Sequence, residues 1–481
     1  MGGLILALDA GTTGVTALVV DRDRHVVGRG YQDFPQYFPS PGWVEQEPDE
    51  IWSALLAAVT QAVGDRGSQI VGVGVTNQRE TLVIWDRRTL KSARPAIVWQ
   101  DRRSSDICDR LKAVDVSRTG LRLDPYFTAT KIMWVRENEP QVWAGLESGR
   151  LAIGTVDSYL ISRLTGGERH VTDASNASRT LLYNLKSGEW DLELLDLFGV
   201  PRAALAEITS SYGDLARCDP TAFLGINAPI TGLAGDQQAA LVGEAGTSPG
   251  AAACAYGTGS FVLVNTGTEI PPISGGLLAT VALAHPDGQR SFASEGAIFV
   301  TGAAVQWFRD GLGAISSSSE IEALASSVPD SAGVVFVPAL TGLGAPHWDA
   351  NARGAILGIT RGTKRAHIAR ALLESIAWQV ADVVEMMESQ SKVRLPFLGA
   401  HGGASANTLL CQLQATALRR PVHRRRNPES TALGVAELAA LGLGWPARTV
   451  REDVEEIVGG TKIVAHDRWQ RAIRTVRLFG E

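Results

Sequence analysis

One hairpin is written twice in this chain of 481 residues. Leu4-Ile5-Leu6-Ala7-Leu8-Asp9 runs into Ala10-Gly11-Thr12-Thr13-Gly14 and out through Val15-Thr16-Ala17-Leu18-Val19-Val20, which reads as strand, turn, strand. The pattern returns at Ala253-Cys254-Ala255-Tyr256, Gly257-Thr258-Gly259-Ser260 and Phe261-Val262-Leu263-Val264-Asn265, with Thr258 standing 246 positions after Thr12. The simplest reading is an ancient duplication, each half opening on a β-hairpin whose turn is built from Gly and Thr. At roughly 100–200 residues per domain, the length also fits two large domains.

Between the hairpins, strand and helix signals alternate. Pro48-Asp49-Glu50 precedes Ile51, Leu55, Val59 and Ala62, a cap-like start followed by one helix face. The apolar run Ile70–Val75 then reads as a buried strand ending in the polar loop Thr76-Asn77-Gln78-Arg79-Glu80. Later, Ala366–Glu388 and Ala406–Leu418 read as helices around a short strand at Pro396–Ala400. Alternation of this kind makes the fold class α/β. The domain boundary is expected in the connection Gly243–Ser248, giving domains over 1–244 and 245–481.

Composition removes several function classes. Lys+Arg 45 against Asp+Glu 51 leaves a net charge of −6, so no basic field is present to gather nucleic acid. Cys108, Cys218, Cys254 and Cys411 are scattered and form no CxxC pair, which argues against a zinc site or a disulfide framework. No apolar run reaches the length of a membrane span, and a cytoplasmic location is expected. There is no Gly-Lys dipeptide for a P-loop, no complete GxGxxG and no HExxH.

What remains is the pair of turns. Gly-rich backbone lets successive N–H groups converge on an anion, and Thr hydroxyls add donors, so phosphate oxygens suit such a turn; an ordinary hairpin using Gly for positive φ is the plain alternative. Asp9 ends an apolar strand directly before the first turn. A carboxylate there either caps the turn or holds a cation beside phosphate, as Mg²⁺ sites do with one or two carboxylates. Asp236 follows the apolar Ile230–Ala234 and opens a helix, where its plain reading is an N-cap.

Several further segments carry a resemblance. Asn77-Gln78-Arg79-Glu80-Thr81, Ala96-Ile97-Val98-Trp99-Gln100-Asp101-Arg102-Arg103, Asp124-Pro125-Tyr126-Phe127, His170-Val171-Thr172-Asp173, Asn176-Ala177-Ser178-Arg179-Thr180, Ala234-Gly235-Asp236-Gln237-Gln238 and Thr341-Gly342-Leu343-Gly344-Ala345-Pro346 resemble the FGGY carbohydrate kinase family over almost the whole chain. The first-half motifs are similar to its glycerol branch. The resemblance implies two ribonuclease-H-like domains of actin and hexokinase type around a cleft, ATP and Mg²⁺ as cofactors, glycerol as substrate and a homodimer. It further implies that Arg79, Glu80, Tyr126, Asp236 and Gln237 bind glycerol, with Trp99 and Phe261 walling its carbon face. Gly11, Thr12, Thr13, Gly257, Thr258 and Gly259 would hold the ATP phosphates, while Gly302, Gln306, Gly403 and Asn407 would contact the nucleotide, the glycines giving room for base and ribose. Asp236 is then the general base, and Asp9 the metal residue.

The chain also departs from the family. His401 stands where Asp is usual, either as a tolerated loop exchange or as a group that gains charge near phosphate as pH falls. Gly14 and Thr16 replace a serine and a phosphate-facing arginine, removing one cationic contact. Tyr212–Ala228 lacks both the loop that binds fructose bisphosphate and the histidine phosphorylated by the phosphotransferase system, so neither regulation is expected. Trp52, Trp307, Trp348 and Trp378 read as packing, His423-Arg424-Arg425-Arg426 as a solvated edge, and Ala432–Leu441 as a tightly packed helix.

Overall fold

A computed structural model describes residues 3–448 and 453–480. Its first sheet comprises β1 (Leu4–Ala10), β2 (Gly14–Val20), β3 (Val26–Asp33), β4 (Ile70–Asn77), β5 (Tyr212–Arg217) and β6 (Pro229–Gly235), in the order β5-β6-β4-β1-β2-β3. The second comprises β7 (Ala252–Tyr256), β8 (Ser260–Gly267), β9 (Leu278–Ala284), β10 (Arg290–Ile298), β11 (Leu398–His401), β12 (Val422–Arg425) and β13 (Val454–Ile457), in the order β9-β10-β8-β7-β11-β12-β13. The kernels β3-β2-β1-β4-β6 and β10-β8-β7-β11-β12 share one plan. In each, three antiparallel strands are followed by two that run parallel to the first. This is the ribonuclease-H-like arrangement, present twice.

The central strands are apolar on both faces because helices cover both. On one face α1 (Pro48–Val63), with Pro48 in its first turn, lays Ile51, Leu55, Ala58, Val59 and Ala62 against β2 and β3. The other face is covered by α2 (Asp236–Ala245) together with a helix from the far half of the chain. Further along come α3 (Gly302–Asp310), α4 (Arg365–Ser391), α5 (Thr408–Leu418) and α6 (Ser430–Gly442). It is α6 that packs under the first sheet, with Val435 and Leu438 among Ile5, Ala7 and Leu18. It crosses α2 so closely that a Cβ on Gly434 would lie 1.8 Å from the Ala239 carbonyl oxygen. The tight helix read at Ala432–Leu441 is therefore a crossing between the two halves.

A third core builds on residues between β4 and β5. Leu82, Ile132 and Phe198 join Leu278, Val281 and Phe292 of β9 and β10, so the second sheet also leans on the first half. The connection after α2 begins at Gly246, because Gly243–Ala245 are still helical. The stretch at 423–426 is not a solvated edge. Its first three residues belong to β12, with Arg424 and Arg425 paired to Glu455 and Asp453 and His423 stacked on Phe397. No helix of the described residues is long and apolar enough to cross a membrane.

Candidate active site

Local sequence builds the first turn from the inside out. Two of its carbonyl oxygens are taken by side-chain amides, Gln46 and Gln36 donating to Thr12 O at 2.8 and 3.0 Å and Gln78 to Gly11 O at 3.3 Å, while the Phe34 backbone amide donates to Thr13 O at 3.3 Å. With the oxygens occupied, the amides of Thr12 and Thr13 are left without a protein acceptor among the described residues. The turn is thus presented as a set of donors. Trp99 Nε1 donates to Thr12 Oγ1 at 3.1 Å and fixes the hydroxyl's neighbour.

Asp9 sits at the foot of this turn, opposite Thr16 in the β1–β2 register. Its Oδ1 is buried without any hydrogen-bond partner. Burial, then the charges of Asp236 and Glu429, raise its pKa to about 8. A carboxylate so starved of positive charge fits a divalent cation, and among the described residues no guanidinium or ammonium pairs with it. Thr16 is buried in β2 and brings no charge.

The loop after β4 turns sharply, with Glu80 at φ +63, a conformation held only where surroundings enforce it. It delivers Arg79 and Glu80 to a buried charge array. Arg79 Nε lies 3.4 Å from Asp236 Oδ1 and 3.8 Å from Glu80 Oε1, while its Nη1 donates to Glu295 Oε2 at 2.7 Å. Arg179 completes the ring, donating through Nε to Glu80 at 2.6 Å and through Nη2 to Glu295 at 2.8 Å. Burial would raise the Glu295 carboxyl, and the two guanidiniums outweigh it and hold the group below the usual carboxylate range.

Asp236 opens α2 from its first helical position, since Gly235 is the N-cap and no side-chain cap is made. The plain N-cap reading therefore fails. Asp236 keeps 30% of its side chain exposed, unlike Glu80 and Glu295. Burial raises its pKa to about 6, with Arg79 opposing the shift. Gln237 follows it, and the Gln237 amide donates back to Asp236 Oδ1 at 2.7 Å.

Next to this array lies a cavity of about 510 Å³ lined by Trp99, Tyr126, Phe261, Thr258, Glu295 and Trp348. Trp99 and Tyr126 meet edge to face at 5.6 Å. Tyr126 is held by a fully buried Lys131, whose ammonium donates to the carbonyls of Pro125 (2.8 Å), Tyr126 (2.5 Å) and Phe127 (3.3 Å).

The second turn is backed differently. The amides of Thr301, Gly302 and Ala303, where α3 begins, donate to Thr258 O, Gly257 O and Thr258 O at 2.9, 3.0 and 3.0 Å. A second cavity of about 440 Å³ brings together Gly257, Thr258, Gly302, Gln306, Gly403 and Asn407. The two glycines differ in purpose. A Cβ on Gly302 would sit 2.6 Å from Gly257 O, so this glycine serves the turn rather than a ligand, whereas Gly403 faces open space. Asn407 caps α5 through Leu410 N at 2.8 Å. His401 pairs with Ala255 beside the turn, and burial drives its pKa down to about 4. With its pKa lowered that far the imidazole is neutral from pH 6 to 8, which favours the tolerated exchange over the alternative of a charge gained near phosphate.

Two sequence profiles match this architecture: the FGGY family of carbohydrate kinases, N-terminal domain, over residues 4–243, and the C-terminal domain of the same family over residues 252–443. The chain belongs to the FGGY family of carbohydrate kinases. Among FGGY relatives it is 51% identical over 451 residues to a glycerol kinase of Deinococcus radiodurans, covering 92% of this chain and 89% of that one. In structure it resembles a Plasmodium falciparum glycerol kinase solved with ADP, at TM-score 0.91 and 31% identity, over 99% of this chain and 98% of that chain. A xylulose kinase from Rhodospirillum rubrum follows at TM-score 0.84 and 25% identity, covering 99% and 98%.

The expected residues thus fall into three neighbouring groups. Arg79, Glu80 and Asp236 belong to the charge array; Trp99, Tyr126, Gly259 and Phe261 line the first cavity; Gly257, Gly302, Gln306, Gly403 and Asn407 line the second, Thr258 lines both, and Gln237 lines neither. Gly11 and Thr13 line neither cavity, and the first turn joins the site through Trp99 and Thr12. Sequence reasoning missed Glu295, Arg179 as a site residue, Lys131 and Trp348. Trp348 is not packing: it is 40% exposed, lines the first cavity and carries the Arg122 guanidinium 4.9 Å above its ring. Arg179 lies inside the motif Asn176–Thr180, and Glu295 is the one acid of a buried strand.

Proposed function

We propose that this FGGY-family chain transfers the terminal phosphoryl group of ATP to a primary hydroxyl of glycerol, giving sn-glycerol 3-phosphate. The observation that carries the reading is Asp236: a part-exposed carboxylate raised to about 6, 3.4 Å from the buried Arg79 guanidinium, which in turn holds Glu295 in the wall of the cavity shared by Trp99, Tyr126 and Phe261. A carboxylate near neutrality can accept a hydroxyl proton as the oxygen attacks phosphorus. In that step the O–H bond breaks toward Asp236, the new P–O bond forms, and the bond to the β-phosphate oxygen opens to release ADP. Arg79, Glu80, Tyr126 and Gln237 supply the mixed donors and acceptors that a triol needs, and the aromatic rings take its carbon face.

The nucleotide is assigned to the second cavity, with Gln306, Gly403 and Asn407 toward its body and the Gly257–Gly259 turn toward its phosphates. The donor-rich turn at Gly11–Thr13 is assigned to the phosphate being transferred. Asp9 would hold Mg²⁺, directly or through water, and the ion would neutralise charge on the phosphate oxygens. The domains are proposed over 1–244 and 245–481, and the family resemblance supports a homodimer. A cytoplasmic location agrees with four free cysteines.

A second polyol or ketose is favoured by one observation. The cavity of about 510 Å³ lies in the range of roughly 300–1,000 Å³ used for ligands much larger than glycerol. A coupled assay with ATP, Mg²⁺ and a panel of polyols and ketoses decides: glycerol turnover supports the main reading, preference for another acceptor the second, and binding without turnover would make the protein a regulator. Asp236→Asn is expected to lower kcat by about 10²–10⁴-fold while glycerol affinity stays within about tenfold. Near-wild-type turnover in that variant would remove Asp236 as base.

A further inference from the structure

Glu295 belongs to the wrong sheet for the company it keeps. It lies on β10, opposite Leu263 of the strand that leaves the second turn, so by position it is part of the nucleotide side. Its carboxylate, 1% exposed, is spent entirely on the acceptor side, on Arg79 Nη1 and Nη2 at 2.7 and 3.3 Å and on Arg179 Nη2 at 2.8 Å. We infer that Glu295 is a positioning residue for the acceptor: it holds Arg79 by both terminal nitrogens, so that only the Nε edge faces Asp236.

The reasoning is charge arithmetic in a buried space. Two guanidiniums, Arg79 and Arg179, face three carboxylates, Glu80, Glu295 and Asp236. Glu80 is already engaged by Arg179. Without Glu295, the terminal nitrogens of Arg79 lose their carboxylate, and of the two acids at its Nε edge Asp236, at 3.4 Å, is nearer than Glu80, at 3.8 Å, and is not held by Arg179. A buried cation does not stay unpaired. Arg79 is poised for that move, because its stem lies against Gly235: a Cβ there would sit 2.7 Å from Arg79 Cδ. Fork-to-fork pairing of guanidinium with carboxylate is strong. It would cover the oxygen that takes the proton and withdraw Arg79 from the acceptor. Glu295 prevents this by offering the fork a better partner, and Gln238 Oε1, 3.3 Å from Arg79 Nη1, adds a weaker one.

The inference rests on the phosphotransferase reading, and the two can fail separately. Kinetics are measured on the full chain as wild type, Glu295→Gln, Glu295→Asp, and the double variant Glu295→Gln with Arg179→Gln, which keeps the charge sum of the array unchanged if the single variant does not fold. Glu295→Gln is expected to lower kcat/KM for the acceptor by about 100-fold, the scale of losing an oriented charged contact, with KM for ATP within about threefold. Glu295→Asp should regain about tenfold of that loss, since it restores the carboxylate. The double variant should keep the acceptor defect. A merely structural role for Glu295 would damage the nucleotide side first, because that is the sheet it belongs to. Parallel loss of ATP and acceptor affinity, equal defects in the Gln and Asp variants, or a folded Gln or double variant with acceptor kcat/KM within about threefold of wild type would each overturn the inference. If wild type turns over no polyol, the phosphotransferase reading falls and takes this one with it; if it turns over a polyol other than glycerol, Glu295 is judged on that polyol.

Discussion

The two Gly/Thr turns share one hairpin pattern, yet they are held differently. In the first, the Gly11 and Thr12 carbonyls are satisfied by the side chains of Gln36, Gln46 and Gln78, which reach in from three separate segments, and only the Thr13 carbonyl by a backbone amide, that of Phe34. In the second, they are satisfied by backbone amides where α3 begins. The first turn also carries an acid at its foot, Asp9, where the second has Ala255, 246 positions later. Its loop is longer by one residue, the last pairs being Ala10 with Val15 and Tyr256 with Ser260. The two copies thus share one shape, and what stands behind each makes them different. One has an unpartnered carboxylate at its foot and side chains behind it, and on the proposed reading it serves the group in transit. The other is welded to a helix and suited to a group that stays put.

The hardest blow to this contrast is a pair of substitutions at matching positions. Asp9→Ala is expected to lower kcat by about 100-fold or more, the scale of losing a charge-stabilising element at the transferred group, and to raise the Mg²⁺ concentration needed for half-maximal rate. Ala255→Ser, at the same place in the other hairpin, should stay within about threefold of wild type. Equal losses at the two positions would mean that the asymmetry of the turns has no functional weight.

A smaller effect is expected on the second turn. Gly302→Ala puts a methyl 2.6 Å from the Gly257 carbonyl oxygen, where backbone must yield. The turn should shift and KM for ATP rise about tenfold, equivalent to about 1.4 kcal/mol, with the acceptor KM unchanged. Steady-state kinetics with each substrate varied in turn would show it, and a rise confined to the acceptor would place this turn on the wrong substrate. On the first turn, Gln46→Leu leaves Thr12 O with one donor fewer and Gln78 Nε2 without its 2.7 Å acceptor. The cost is about 1–3 kcal/mol of stability, read from the denaturant midpoint, together with a kcat loss that the second turn does not share.

Much of this architecture was visible in the sequence because it is periodic or local. The hairpins, the helix at 48–63 and the alternation of strands with helices are nearest-neighbour patterns, and the shared sheet plan follows from them. The site was legible where motifs are contiguous, as at Arg79-Glu80 and Asp236-Gln237. What escaped was whatever required two distant segments to meet. Glu295 gains its meaning only when β10 is laid against Arg79 and Arg179, and Trp348 only when Arg122 is brought above it. The run at 423–426 failed for the same reason: its residues look solvated until strands from either side and Asp453 and Glu455 close over His423, Arg424 and Arg425, leaving only Arg426 exposed. Gly302 failed more subtly, being needed for a backbone contact inside the protein rather than for a ligand.

The least conspicuous difference between the turns is what pairs with their foot residues in the neighbouring parallel strand, Thr76 beside Asp9 and His401 beside Ala255. His401 is the one ionisable group of the four besides Asp9, and its sign matters. Burial lowers it to about 4, against 6.5 unperturbed, so the imidazole is uncharged throughout pH 6–8 and would charge only as pH falls toward the lowered value. The ATP affinity of the wild type should therefore change by less than about twofold over that range for reasons traceable to His401, and His401→Asp should weaken ATP by a factor that is itself flat with pH, since a carboxylate beside phosphate is repelled whenever it is ionised. Turnover is a different matter: Asp236, raised to about 6, must be unprotonated to act, so kcat should fall about tenfold per unit once pH drops below that value. Titrating affinity and kcat on the same samples separates the two groups. An ATP affinity that follows the acid limb of kcat in wild type, and loses that slope in His401→Asp, would show that the imidazole does charge beside the second turn, and that the two turns share an electrostatic switch rather than dividing the labour between them.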